Sequence, residues 1–75
     1  MAEDIANAVR LQLFELLLDK VDEDTYPSST MLDQIERLLT PEEVPAYAAV
    51  LMAKIDGDTY PSNSIIRRVI ELIGA

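Results

Sequence analysis

Apolar residues recur at helical spacing along almost the whole chain. Over residues 3–21, Ile5, Val9, Leu13 and Leu16 form one stripe that closes on Lys20. Leu11, Phe14, Leu18 and Val21 form a second, and Leu17 lies between the two. The stretch holds no Gly or Pro, and its acids Glu3 and Asp4 stand where a helix dipole favours them. A first helix over 3–21 follows. Packing on one side needs an apolar arc of roughly 100°. This helix is apolar over a wider arc, so neighbours on two sides are expected.

The pattern pauses at 22–27, where Asp24 and Thr25 offer local backbone partners and Tyr26 precedes a proline, which favours extended backbone. Ser28 or Ser29 then caps a second helix over 29–39. Its inner side is Met31, Leu32, Ile35, Leu38 and Leu39, and its outer side is Asp33, Gln34, Glu36 and Arg37. Thr40-Pro41-Glu42-Glu43 is a capping box with proline at the first helical position. It starts a third helix that runs to 55, with Pro45 removing one early donor and Tyr47, Ala48, Val50, Leu51, Met52 and Ile55 as its apolar set. Gly57 is expected to stop this helix in a left-handed conformation. The last helix covers 62–73 and is apolar at Ile65, Ile66, Val69, Ile70, Leu72 and Ile73.

The pauses are copies of each other. Asp24-Thr25-Tyr26-Pro27-Ser28 returns as Asp58-Thr59-Tyr60-Pro61-Ser62, shifted by 34 positions. Alignment of 16–39 with 50–73 gives nine identical pairs in 24, an internal repeat. The fold class implied is all-α: a single domain over 1–75, a compact four-helix unit made of two tandem, duplicated helical hairpins stacked on each other. The 34-residue period is the tetratricopeptide length, but the Trp, Gly and Tyr pattern of that repeat is absent.

Composition narrows the chemistry. The chain has 75 residues and neither Cys nor His. Disulfides, thiolate ligands and the commonest general base are therefore excluded. No Gly-rich phosphate loop or nucleophile elbow appears, so no catalytic residue, cofactor or metal site is assigned. The acidic clusters Asp22-Glu23-Asp24 and Asp56-Gly57-Asp58 lack the Gly and Glu spacing of a calcium loop. A net charge of −8 opposes direct nucleic-acid binding, despite Arg67 and Arg68, and opposes anionic membranes. It favours a basic protein. No apolar run is long enough for a membrane span, and Met-Ala-Glu-Asp lacks the positive start of a signal peptide. A cytoplasmic setting is expected.

Two features remain as candidate interaction sites. Apolar residues beyond the need of one face, Leu11, Phe14 and Leu18 on the first helix and Ile65, Ile70 and Leu72 on the last, suit a homodimer or partner interface. Tyr26 and Tyr60 would offer two similar edges to a partner, or fold back onto their own hairpins while serine caps the next helix. The runs 24–32 and 58–62 resemble those of small acidic helical proteins of actinobacteria and their phages. That resemblance implies a cytoplasmic role within or against a bacterial host and no assigned activity. The function expected is a non-enzymatic protein-interaction module that self-associates through its apolar helix faces; the alternative is an acidic decoy or DNA mimic that binds and inhibits a basic nucleic-acid-binding host protein.

Overall fold

A computed structural model describes residues 2–74. Met1, Ala75 and the side chains of Ala2 and Glu3 lie outside the described residues, and with them the expectation for Glu3 at the helix start. Among the described residues there are four α-helices and no strand: α1 (Ala2–Glu23), α2 (Ser29–Leu38), α3 (Val44–Gly57) and α4 (Asn63–Leu72). The chain divides into two compact units, one ending at Leu39 and one starting at Thr40.

In the first unit α1 packs against α2. Its buried side chains are Phe14 and Val21 from α1 and Leu32 and Ile35 from α2. Each such side chain contributes roughly 1.5–3 kcal/mol when fully buried. Helix α1 runs two residues further than the apolar stripe requires, because Asp22 and Glu23 continue it and the Asp24 N–H still donates to the Lys20 carbonyl at 3.1 Å. Across the pair, Arg10 Nη1 donates to the Leu38 carbonyl at 3.1 Å. A helix's last carbonyls have no intrahelical donor, and a cation there also meets the negative end of the dipole. Arg10 Nε donates in addition to Asn7 Oδ1 at 3.3 Å.

In the second unit Thr40-Pro41-Glu42-Glu43 first makes a 3-10 turn at Pro41–Glu43, and the α-helix proper begins at Val44. The Thr40 N–H donates to Glu43 Oε1 at 3.1 Å, the glutamate half of the capping box. The Glu43 N–H donates to the Thr40 carbonyl at 2.9 Å. Pro45 falls in the first turn of α3, where a missing N–H leaves no bond unmade. Helix α3 packs against α4, and Tyr47, Leu51 and Ile65 are the buried side chains. Met52, one of the apolar positions of this helix, is exposed.

The two linkers end in the same way. Ser28 Oγ accepts the Met31 N–H at 3.0 Å, and Ser62 Oγ accepts the Ile65 N–H at 3.4 Å. Each serine carbonyl also takes the amide four residues on, from Leu32 and from Ile66, at 3.1 Å in both cases. Helices α2 and α4 both span ten residues and start 34 positions apart. The ends of α1 and α3, Glu23 and Gly57, are separated by the same interval.

Gly57 corrects its expectation. It is the last residue of α3 and has no positive φ; the chain leaves the helix through extended Asp58. This is why Glu23 serves equally well at the matching position. The left-handed glycine is Gly74, at φ 77°, after α4. Its N–H donates to the Glu71 carbonyl at 3.1 Å, so it closes α4 in the manner expected of Gly57.

Candidate interaction surface

Helix α1 presents its two apolar stripes to different surroundings. In the stripe that faces α2, Phe14 is 4 % exposed, Val21 is fully buried and Leu18 is half-buried. The other stripe is bare. Ile5 is 67 % exposed, Val9 57 %, Leu13 43 % and Leu16 61 %. These four positions span about 16 Å of a helix about 33 Å long at 1.5 Å per residue. Lys20, exposed, continues the stripe toward the end of the helix.

The flanks of the bare stripe differ in charge. One side carries Gln12, Glu15 and Asp19, all exposed. Together with Leu16 they line a shallow, open depression whose apolar part is the Leu16 side chain and whose polar part is two carboxyls and an amide. On the other side lie Ala6, Arg10 and Leu17. Arg10 is there held by Leu38.

Of the residues expected at a partner interface, Phe14 and Ile65 are buried within the chain, at 4 % and 5 % exposure, and neither side chain is accessible to a partner. The physical reason is that each sits on the stripe its own helix turns toward its packing neighbour. Leu18 and Leu72 are half-buried for the same reason. Leu11 and Ile70 are exposed, at the margins of those packed stripes. Sequence reasoning found both stripes of α1 and took surplus residues from the wrong one. The signal that distinguishes them was present: only the Ile5–Leu16 stripe runs on into a lysine, a residue almost never buried without a partner.

The tyrosines also correct an expectation. Tyr26 is 81 % exposed and Tyr60 is 90 % exposed, so neither ring folds back onto its helices. Pro27 and Pro61, by contrast, are half-buried in their linkers. On α4, Arg67 is exposed, whereas Arg68 is half-buried with its Nε enclosed, so the pair does not present a two-arginine reading head. Among the described residues no cluster of three or more acidic side chains is arranged to hold a metal ion, and no helix is long and apolar enough to cross a membrane.

No family model, curated protein or solved structure matches the chain.

Proposed function

We propose that the chain is a non-enzymatic, cytoplasmic protein-interaction module, built from two duplicated helical hairpins, whose docking surface is the outer face of α1. The observation that carries this reading is the bare stripe Ile5, Val9, Leu13 and Leu16. Single exposed apolar residues are ordinary, but a contiguous row of four on one helix is the kind of patch that marks an interaction site. The lack of Cys and His supports the non-enzymatic part.

Two occupants suit such a face. Self-association covers the stripe with a second copy, at the cost of bringing together two chains of net charge −8 with the same acidic flank. A basic protein covers it with opposite charge. The acidic-decoy reading therefore moves ahead of the homodimer, and its target is a basic protein rather than nucleic acid. Tyr26 and Tyr60 supply a second, smaller contact surface, because both rings stand in solvent on equivalent linkers.

Sedimentation equilibrium and partner binding by the wild type and by a Leu13→Gln/Leu16→Gln variant test the docking surface. The variant is expected to keep its helical circular dichroism and to lose association. Association retained by a folded variant contradicts the assignment of this face.

A further inference from the structure

We infer that the outer face of α1 receives an amphipathic helix of a basic protein, with the partner's apolar side on Ile5, Val9, Leu13 and Leu16 and its Lys or Arg residues beside Glu15 and Asp19. This rests on the reading of that face as a docking surface and adds the chemistry of what docks.

Shape gives the first part. A straight row of apolar side chains with i, i+4, i+8 and i+11 spacing is matched by another helix bearing the same kind of row, since both follow the 3.6-residue turn. An extended peptide has no sheet edge to join, because no strand is present among the described residues.

Charge gives the second part. Beside the row, Glu15 and Asp19 share one flank, where they line a depression with Gln12 and Leu16. The depression they line with Leu16 suits a long basic side chain: the aliphatic stem lies on Leu16 and the cationic head reaches the carboxylates. A second copy brings a net charge of −8 and the same two carboxylates to the face, so the charge match favours a basic partner over self. The opposite flank carries Arg10, and Lys20 stands at the end of the row. A basic helix therefore sets its charges on the Glu15–Asp19 flank, across the row from Arg10. A net charge of −8 draws the partner in before contact is made.

The test uses two fluorescent amphipathic peptides of about 18 residues, one with leucines at helical spacing and lysine elsewhere, the other with glutamate in place of lysine. At low salt the lysine peptide is expected to bind and the glutamate peptide not to bind. Raising the salt should weaken binding without abolishing the apolar share. Glu15→Lys/Asp19→Lys should reduce affinity for the lysine peptide at least about tenfold, as truncating or reversing close charges at an interface does. Asp56→Lys/Glu71→Lys makes the same change in net charge at exposed positions of α3 and α4 and should cost less than about threefold if the effect is local.

Equal losses in the two charge variants overturn the inference, because net charge alone then explains binding. Equal affinity for both peptides overturns it as well. If either result comes with binding that Leu13→Gln/Leu16→Gln abolishes, the docking face stands and only the partner's chemistry falls. Binding untouched by Leu13→Gln/Leu16→Gln overturns both. A dimer in sedimentation that the same two glutamines dissolve assigns the face to a second copy and overturns the basic partner.

Discussion

The two faces of α1 are built from the same kinds of residue and meet opposite fates. Phe14 and Val21 are buried on the side that packs against α2. Ile5, Val9, Leu13 and Leu16 stand in solvent on the other side. Hydrophobicity is the same on both, so it does not decide which face enters a core. What differs is the polar company at the end of each row. Arg10 stands between the two faces, and its guanidinium is tied to the Leu38 carbonyl at the end of α2. The bare face ends in Lys20 and is flanked by Glu15 and Asp19, none of which finds a place in an apolar core. In α1 the surface stripe is the one that continues into an exposed lysine.

The difference is most severely broken from the inner side. Phe14→Ala removes a buried ring and should cost about 3–5 kcal/mol. For a chain this short, which buries only about 60 % of its unfolded surface, that is enough to unfold much of the population at room temperature. Urea titration followed by circular dichroism reads it. Near-wild-type stability in Phe14→Ala would place the ring outside the core.

The linkers give a second, smaller comparison between buried and exposed parts of one motif. Ser28→Ala and Ser62→Ala each remove an N-cap bond and should each cost about 1 kcal/mol. Similar losses support equivalent caps; a loss at one site only breaks that equivalence. Tyr26→Ala and Tyr60→Ala should leave the urea midpoint almost unchanged, since surface substitutions usually stay within about 0.5 kcal/mol. A large shift from either would mean that its ring packs.

One expected effect is a gain. Gly57 has helical backbone, and a Cβ there meets nothing within 4 Å. Gly57→Ala should therefore stabilise by about 0.4–1 kcal/mol through the unfolded chain. Gly74→Ala is expected to move the other way, because φ 77° strains any residue with a Cβ. Thermal melts of the two variants check the opposite signs.

Much of the fold was legible from local signals. The helices, both serine caps and the Thr40 start follow from spacing and from residues whose bonds lie within four positions. The features that escaped depend on the neighbours a residue meets in space. Which stripe of α1 turns toward α2 is settled by packing, and that moved Phe14 and Ile65 from candidate interface to core. Local linker chemistry left open whether Tyr26 and Tyr60 fold back or face outward, and both rings stand in solvent. Gly57 looked like a left-handed stop, but extended Asp58 ends the helix without one.

The central claim, that the outer stripe of α1 takes no part in the chain's own core, is tested most directly by the unfolding free energy of Leu13→Gln/Leu16→Gln. With both side chains exposed, the variant should lie within about 0.5 kcal/mol of the wild type in urea titration. A loss of about 4 kcal/mol or more, the size expected for two core leucines, would contradict the account.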